Sequence, residues 1–391
     1  MTIQSIKPPP ATITLRPYQE ENVAANMDFF RNQKGNGISV VPTGGGKSII
    51  ISETVRQLGE PTLILQPSKE ILVQNFKKYI ATGRDASIYS ASMNRKNISE
   101  ATYATIGSIV KQPELFQQFR HVIIDECHFV NPKQGMYADF LKALGDIRVL
   151  GFTATPYRLT ASRDYGAMLK FITRTRPRVF DRVVYSVGIK ELVEGGFLTP
   201  LTYYQIKGFD KSKVRTNSTG MDYDDQSLFN YMKQISFDEK LAKVVRRLHE
   251  IRKALVVFTR FTDEAYHLKK NVEGIEVVTA QTPAKERDAI IASWMRGDIK
   301  TLANVGILTT GVDYPQLDTV VKARPTKSLA LWYQCLGRAI RIHPDKKDAW
   351  CVDMTDNYNS FGPIESLRLG TDPKGLYQVF SGQKPLTNVW L

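Results

Sequence analysis

The sequence predicts an α/β fold of two tandem domains, each built on a parallel β-sheet covered by helices. Three observations predict it. The 391 residues suffice for two domains of ordinary size. Short apolar runs alternate with helical patterns in both halves of the chain. One glycine-rich segment, residues 42–48, follows an early apolar run and precedes a helical pattern.

The first half alternates strands and helices from its beginning. Its apolar runs predict strands at 38–42, 62–66, 102–106, 121–125 and 148–153, and the segments between them predict helices at 48–58, 69–80, 113–118 and 135–145. A further helix is expected to begin near Pro17, because proline is common in the first helical turn. Ligands of parallel sheets bind at the carboxyl ends of the strands. The residues that follow these strands are therefore the candidates for a site.

The second half repeats the alternation but has no glycine-rich loop of the same kind. Strands are predicted at 254–259, 275–279, 301–307, 318–322 and 349–353, with helices at 236–252, 263–272, 284–296 and 328–340. Between the halves, residues 157–200 interleave basic and aromatic side chains, which suits either a nucleic-acid track or a solvated connecting face. Residues 208–227 are polar and are expected to form a mobile loop. The predicted organisation is a first domain at 1–160, a basic connecting segment at 161–205, a second domain at 206–366 and a tail at 367–391.

Composition narrows the class of protein. The chain has 53 Lys and Arg against 39 Asp and Glu, a formal net charge of +14. This charge favours a polyanionic partner such as nucleic acid, although it could also serve solubility alone. Three cysteines at 127, 335 and 351 lack CxxC spacing, which argues against a disulfide framework or a zinc site and fits a reducing compartment. No signal peptide or membrane-spanning stretch is apparent, so a cytoplasmic protein with no membrane partner is expected.

The glycine-rich segment predicts a phosphate-binding loop. Its glycines allow a tight turn with converging N–H groups, and the helix that follows directs its positive N-terminus to the same place. Lys47 adds a cation, and the Ser48 hydroxyl is a hard ligand suited to Mg²⁺. The expected ligand is a nucleoside triphosphate with Mg²⁺, contacted by Pro42, Thr43, Gly44, Gly45, Gly46, Lys47 and Ser48.

Two adjacent carboxylates follow the apolar run at 121–124. At a strand end, Asp125 can hold Mg²⁺, and Glu126 can orient and deprotonate the water that attacks the γ-phosphate. The alternative is a charged turn after a strand. His128, Thr153 and Thr155 are expected to couple this site to a neighbouring domain by hydrogen bonds, although each also suits an ordinary loop or strand.

Two further groups of residues suit a nucleotide. The Gln19 amide can make a bidentate contact to an adenine edge, and Arg16 can stack on the base, although a helix start with a solvated Gln is the alternative. Gln334, Arg338 and Arg341 are four and three residues apart, so they should share one face of the predicted helix. Arginine suits a developing phosphoryl charge, because its planar guanidinium is permanently cationic.

The order of these segments resembles superfamily 2 helicases. The matching motifs are Leu-Arg-Pro-Tyr-Gln at 15–19, the glycine-rich loop, Asp-Glu-Cys-His at 125–128 (a DECH box), Thr-Ala-Thr-Pro at 153–156 and Gln-x-x-Gly-Arg-x-x-Arg at 334–341. The resemblance implies two RecA-like domains with ATP in the cleft between them, completed by the arginine pair of the second domain. It also implies nucleic-acid contacts at Pro67, Ser68, Lys69, Thr105, Gly107, Ser108, Thr259, Arg260, Thr309 and Thr310, and nucleotide contacts at Gly311 and Asp313.

Over residues 12–366 the sequence more closely resembles the RadD family of bacterial DNA-repair helicases and their phage relatives. The DECH box, residues 304–311, Arg-Pro-Thr-Lys-Ser at 324–328 and Phe-Gly-Pro-Ile-Glu at 361–365 carry this resemblance. That family continues into a cysteine-rich zinc-binding tail whose cysteines are missing here, so no zinc is expected. The resemblance implies ATP-dependent movement on single-stranded or branched DNA, with remodelling or unwinding, in replication, recombination or repair, alongside single-strand-binding or recombination proteins. An RNA helicase, and a DNA-activated ATPase switch that does not unwind, remain alternatives.

Overall fold

The computed structural model describes residues 14–162, 166–308 and 313–389. The predicted site residues Thr309, Thr310 and Gly311 lie outside these ranges. In chain order the strands are β1 Gly37–Val40, β2 Thr62–Gln66, β3 Ser87–Ser90, β4 Arg95–Lys96, β5 Ala101–Thr105, β6 His121–Asp125, β7 Arg148–Thr153, β8 Tyr157–Ser162, β9 Gly166–Phe171, β10 Arg182–Ser186, β11 Leu201–Gln205, β12 Leu255–Thr259, β13 Ile275–Val278, β14 Thr301–Val305, β15 Thr319–Lys322, β16 Ala349–Asp353, β17 Leu367–Thr371, β18 Tyr377–Ser381 and β19 Lys384–Pro385.

The α-helices are α1 Pro17–Asn32, α2 Lys47–Leu58, α3 Lys69–Ile80, α4 Ile106–Ile109, α5 Met136–Leu144, α6 Ile189–Glu194, α7 Asp225–Gln234, α8 Phe237–Ile251, α9 Thr262–Asn271, α10 Ala284–Arg296, α11 Leu329–Leu336 and α12 Asn357–Phe361. The segment predicted as a helix at 113–118 is a short 3₁₀ turn, Pro113–Phe116. Among the described residues, none of these helices has the length and apolarity needed to cross a bilayer.

The chain divides into two compact units. The first unit comprises residues 1–42, 46–156 and 172–187, and the second comprises 43–45, 157–171 and 188–391. The segment expected to connect two domains, 161–205, is therefore shared between the two units. Its strand β10 pairs with β1 in the sheet of the first unit, with Gly37 opposite Arg182.

The first unit contains an eight-stranded sheet in the order β10-β1-β7-β6-β2-β5-β3-β4. Its strands run parallel except for the short β3–β4 pair. The interior strands β1 and β2 are buried along their whole length, as apolar strands covered by helices on both faces should be. The loops after β1, β6, β7, β2 and β5 consequently lie at one edge of the sheet.

The second unit contains a six-stranded parallel sheet in the order β11-β16-β15-β12-β14-β13. Its core joins this sheet to α8 and α9 through buried residues such as Leu241, Val245, Val257 and Leu268. The tail forms a small antiparallel sheet of β17, β18 and β19. The β8–β9 hairpin belongs to the same unit, where the Asn388 side chain accepts a hydrogen bond of 3.0 Å from the Phe171 N–H.

The predicted helix at 328–340 is wrong at its C-terminal end. Helix α11 stops at Leu336, and Gly337 begins a turn in which the Ala339 N–H donates to the Leu336 carbonyl at 3.0 Å. Glycine has low helix propensity and ends the regular pattern. Arg341 instead forms an isolated bridge with Leu198. Gln334, Arg338 and Arg341 therefore do not share one helical face.

The segment 208–227, predicted as a loop, contains regular structure. A 3₁₀ turn covers Lys211–Lys213, and Thr216 forms a bridge with Tyr223. Helix α7 begins at Asp225 because the Asp224 carboxylate accepts a hydrogen bond of 2.9 Å from the Ser227 N–H, as a helix cap does. Polar residues suited to caps and turns gave this stretch the composition of a loop.

Candidate ATP and nucleic-acid sites

The phosphate-binding loop joins β1 to α2 in the predicted way. The Val41 N–H donates to the Thr153 carbonyl at 3.0 Å, which fixes the start of the loop beside β7. Gly44 and Gly46 have φ angles of +84° and +79°, in the left-handed region that favours glycine. Helix α2 then begins at Lys47, so the side chains of Lys47 and Ser48 lie at its positive N-terminus.

Gln19 lies against this loop and also caps the start of α1, so its predicted contact with adenine stays a prediction. A Cβ atom added at Gly46 would be only 2.4 Å from Gln19 Nε2, so a side chain there would displace the Gln19 amide. Gln19 is buried, and its Oε1 accepts a hydrogen bond of 3.0 Å from the Arg16 N–H. The Tyr18 hydroxyl accepts hydrogen bonds from Gln19 Nε2 at 3.4 Å and from Arg16 Nη1 at 3.3 Å. Arg16 and Gln19 thus belong to one hydrogen-bonded group.

Lys47 and Glu126 form an ion pair at the carboxyl edge of the first sheet. Lys47 Nζ lies 3.3 Å from Glu126 Oε1, and Glu126 Oε2 lies 3.3 Å from His128 Nδ1. The same His128 nitrogen lies 2.9 Å from Thr153 Oγ1 and 3.4 Å from Thr155 Oγ1. The structure therefore brings the predicted coupling residues into one network with the two predicted catalytic groups.

Asp125 is held by a residue that sequence reasoning missed. Asn75 Nδ2 donates a hydrogen bond of 2.8 Å to Asp125 Oδ2 and another of 3.0 Å to Gln66 Oε1. Asn75 is buried on α3 with no neighbouring motif, so only its polar character within a helix could have signalled a role. Because Gln66 precedes the predicted nucleic-acid contacts at 67–69, Asn75 links that segment directly to Asp125.

The two adjacent carboxylates have opposite electrostatic environments. Burial and the neighbouring Glu126 raise the pKa of Asp125 above its usual range. Burial also opposes ionisation of Glu126, but Lys47 and His128 outweigh it and lower the pKa of that carboxyl. Glu126 is therefore the ionised member of the pair when Lys47 is its partner. Its left-handed backbone, with φ +51°, separates its side chain from that of Asp125.

The donor set at this edge fits Mg²⁺. Asp125 supplies a buried carboxylate oxygen fixed by Asn75, and Ser48 supplies a hydroxyl at the start of α2. Within the described ranges no cluster of three or more His, Cys, Asp or Glu residues suits a metal ion. A site with one carboxylate and one hydroxyl matches the way Mg²⁺ is bound together with substrate phosphates.

Several predicted nucleic-acid contacts lie at the same edge of the first sheet. Ser68 caps α3, because its Oγ accepts from the Ile71 N–H at 3.4 Å. Lys69 is exposed, and Pro67 is half-buried. Thr105 Oγ1 lies 2.8 Å from Ser108 Oγ, next to the exposed Gly107. These loops follow β2 and β5, which are neighbours in the sheet.

In the second unit, the two predicted arginines have different surroundings. Arg341 forms an ion pair with Asp313. Arg338 is half-buried and contributes to a small cavity with Phe258, Trp294 and Tyr314. Gln334 is half-buried on α11.

Thr259 and Arg260, predicted to contact nucleic acid, differ in exposure and in partners. Thr259 is fully buried, and its hydroxyl donates to the Asn304 carbonyl at 3.4 Å, which is a structural role in this conformation. The Arg260 guanidinium is held by carboxylates of the segment before and at the start of α7. Its Nη2 lies 2.6 Å from Asp225 Oδ1, and its Nη1 lies 3.7 Å from Asp222 Oδ2. Sequence reasoning did not anticipate these acidic partners.

Comparison with known families identifies two matched regions. Residues 12–158 match the family described as type III restriction enzyme, res subunit. Residues 238–343 match the helicase conserved C-terminal domain. The first region contains the phosphate loop and the Asp125–Glu126 pair, and the second contains Arg338 and Arg341.

Two relatives illustrate the similarity. The chain is 27% identical over 375 residues to IRC3 of Saccharomyces cerevisiae, a protein assigned as an ATP-dependent helicase, which covers 87% of this chain and 51% of the relative. It is 26% identical over 370 residues to the DNA 3'-5' translocase XPB2 of Sulfurisphaera tokodaii. That alignment covers 86% of this chain and 80% of the relative. The chain thus spans about half the length of the yeast relative.

A solved structure supports the fold. The ATP-dependent type ISP restriction-modification enzyme LlaBIII bound to DNA superposes with a TM-score of 0.65 at 16% identity, covering 88% of this chain and 28% of that one. At this identity the likeness concerns architecture alone. It agrees with the tandem RecA-like parallel-sheet domains predicted from the sequence, and that prediction is confirmed.

Proposed function

We propose that this chain, which has the two motor domains of ATP-hydrolysing superfamily 2 helicases, uses ATP to move along DNA and to remodel or unwind it. The single observation that carries the proposal is the network joining Lys47, Glu126 and His128 at the carboxyl edge of the first sheet. The pair places a phosphate-binding lysine and a candidate general base side by side, and these are two of the groups that nucleotide hydrolysis uses.

Hydrolysis would begin when ATP phosphates attract Lys47. In the present structure Lys47 neutralises Glu126 and lowers its basicity. Once Lys47 turns to the phosphates, Glu126 loses its cationic partner and becomes a stronger base. Its carboxylate can then take a proton from the attacking water, while His128 keeps Oε2 oriented.

The remaining residues bind and orient the nucleotide. Gln19 and Arg16 would recognise adenine from the group they form beside Gly46. When bound to Asp125 and Ser48, Mg²⁺ would supply positive charge to the phosphate oxygens. Arg338, Arg341, Gln334 and Asp313 would complete the site from the second unit, with arginines neutralising the charge that develops during phosphoryl transfer.

Hydrogen bonds connect the nucleotide site to β7 and to the segment proposed to bind a strand. Thr153 and Thr155 contact His128, and Gln66 reaches Asp125 through Asn75. Strand binding at the loops after β2 and β5 could therefore change the position of Asp125. We infer that this coupling makes hydrolysis depend on nucleic acid and makes movement depend on hydrolysis.

DNA is the favoured strand for two reasons. The net charge of +14 suits a polyanion. The archaeal relative is named as a DNA translocase. Together with the DECH box and the resemblance to the RadD family, this supports a role in replication, recombination or repair in a bacterial or phage-infected cytoplasm, alongside single-strand-binding or recombination proteins.

The decisive experiment is an ATPase titration with single-stranded, duplex, forked and four-way DNA, and with RNA of matched length. We expect DNA to raise turnover more than RNA does. Stronger stimulation by RNA would favour the RNA-helicase alternative, and indifference to both would contradict a motor. A strand-displacement assay beside a translocation assay would separate an unwinding enzyme from an ATPase switch.

A further inference from the structure

Three basic residues meet at the carboxyl edge of the sheet in the second unit. Strands β12 and β15 are parallel neighbours in register, with Phe258 opposite Lys322. Arg260 directly follows β12, and Arg324 and Lys327 follow β15 within five residues. Because the carboxyl ends of neighbouring parallel strands lie at one edge, these side chains share a location where ligands of such sheets bind.

Arg324 has an unsatisfied guanidinium. It is half-buried, and among the described residues it forms no side-chain hydrogen bond or ion pair; its Nε is buried without a partner. Burial, followed by repulsion from Arg260, lowers the pKa of Arg324. A buried donor without an acceptor is costly. Asp222 and Asp225 are close enough to favour the charged form of Arg324, but neither accepts a hydrogen bond from it, so an external anion could fill that place.

The neighbouring cation, Arg260, is already paired with two carboxylates of the protein. Asp225 Oδ1 accepts from Arg260 Nη2 at 2.6 Å and from Nε at 2.8 Å, and Asp222 Oδ2 lies 3.7 Å from Nη1. Asp222 Oδ1 also accepts from the Lys327 N–H at 3.3 Å. A carboxylate contacts arginine much as a phosphate does.

We infer that Arg324, Arg260 and Lys327 form a phosphate-binding cluster for a nucleic-acid strand, in which Asp222 and Asp225 hold Arg260 until a phosphate displaces them. The cluster lies at the edge where motif resemblance places strand contacts, but neither Arg324 nor the acidic residues are part of that expectation. A repeating phosphodiester suits three cations from two strands better than a single free anion does. This inference rests on the proposed function, because it names the residues by which the second unit would hold its strand.

The first test changes Arg324. Binding of fluorescein-labelled oligo(dT), and of an RNA of equal length, is measured by anisotropy across a range of salt concentrations for wild type, R324Q and R324K. We expect R324Q to weaken binding about tenfold and to lower the slope of log affinity against log salt by about 0.7, the value for one phosphate contact in a single strand. R324K keeps the charge and should retain most of the affinity.

The matched control is R296Q, which removes the same charge elsewhere. Arg296 ends α10, five residues before β14 begins, and it pairs with Asp298 on an exposed surface. It therefore lies toward the opposite, amino edge of the sheet. We expect R296Q to bind like the wild type.

The second test removes the acidic competitor. Asp225 is 63% exposed, so D225N should fold normally. Without the carboxylate, Arg260 becomes available to phosphate, and we expect affinity to rise several-fold. D298N is the control for the change of charge, since Asp298 is comparably exposed at 58%.

The outcomes separate this inference from the proposed function. If R324Q and D225N both match the wild type while DNA still binds and stimulates hydrolysis, the cluster is wrong and the proposed function stands. If thermal unfolding shows that R324Q does not fold, unchanged binding by D225N alone overturns the cluster. If the wild-type protein binds neither DNA nor RNA, the proposed function fails and the cluster fails with it.

Discussion

Asn75 Nδ2 donates a hydrogen bond of 2.8 Å to Asp125 Oδ2, although 50 residues separate the two in the chain. The same amide nitrogen holds Gln66, next to the predicted strand contacts. One side chain thus fixes the orientation of the carboxylate proposed to bind Mg²⁺. Mutation of a residue that orients a metal ligand in this way commonly lowers the affinity for the metal or the activity about 10- to 100-fold.

We predict that N75A raises the Mg²⁺ concentration needed for half-maximal ATPase about 10- to 100-fold. Asp125 would lose its amide donor and its fixed orientation. K77A changes an exposed residue of the same helix and serves as the control. A titration of ATPase rate with Mg²⁺ makes the comparison. An unchanged Mg²⁺ requirement with a lower maximal rate would point instead to general damage of the fold.

A side chain at Gly46 should strain the backbone and displace Gln19. G46A places a methyl group 2.4 Å from Gln19 Nε2 at a φ of +79°, so we expect nucleotide binding to be lost. G59A is the matched control, because Gly59 also has positive φ, +64°, but nothing lies within 4 Å of an added Cβ. That variant should cost about 1–2 kcal/mol of unfolding free energy and still bind nucleotide. Titration with a fluorescent ATP analogue, paired with chemical denaturation, distinguishes the two.

Glu126 should be needed for turnover and not for binding. E126Q keeps the shape of the side chain but cannot accept the proton of the attacking water, so we expect kcat to fall about 10²–10⁴-fold. The affinity for ATP should stay within a few-fold of the wild type, because phosphates are held by the loop and Lys47. E114Q, at an exposed glutamate of the same unit, is the control. A full rate in E126Q would remove this residue from the chemical step.

Arg338 should act on the transition state. R338A is expected to bind ATP normally and to lose about 10³-fold or more of hydrolysis, as removal of an arginine finger does. R247A removes an exposed arginine paired with Glu250 on α8 and should hydrolyse ATP like the wild type. Single-turnover hydrolysis measures the step directly. Near-normal hydrolysis rates in R338A would exclude Arg338 from catalysis. Its place in the small cavity would then reflect packing alone.

Glu264 should make stability depend on pH. Burial raises its pKa from 4.5 to about 8, although its Oε2 accepts backbone N–H groups of Arg260 and Phe261 at 3.0 and 3.3 Å. The folded protein then holds a proton that the unfolded chain releases, so the free energy of unfolding should fall as pH rises from about 4.5 to about 8.

The variant E264Q cannot ionise, so this part of the pH dependence should vanish. Urea unfolding of both proteins at pH 5.5 and pH 8.5 provides the measurement. We expect the stability of E264Q relative to the wild type to increase with pH. A difference that stays constant between the two pH values would contradict a raised pKa.

The sequence by itself determined the main strands of both parallel sheets and the phosphate-loop segment, but not strands such as β3, β8, β9 and β10. The boundaries of the predicted strands agree with the structure to within two residues, because short continuous apolar runs with polar or glycine residues at their ends mark strands buried on both faces. The phosphate loop was equally evident, since a strand, glycines, Lys47, Ser48 and a helix are consecutive in the chain. The backbone angles of this loop depend mainly on residues adjacent in the chain, and the sequence gives those residues directly.

Only the tertiary structure decided which distant side chains meet. No sequence pattern around Asn75 predicts its hydrogen bond to Asp125. Likewise, no pattern around Asp225 predicts its ion pair with Arg260. The end of α11 at Leu336 also depended on context, because helical spacing continues through Gly337 in the sequence while the backbone turns away. Hydrogen bonds and ion pairs between separate elements follow from how the sheets order their strands. That order comes from packing in three dimensions, which a linear pattern does not contain.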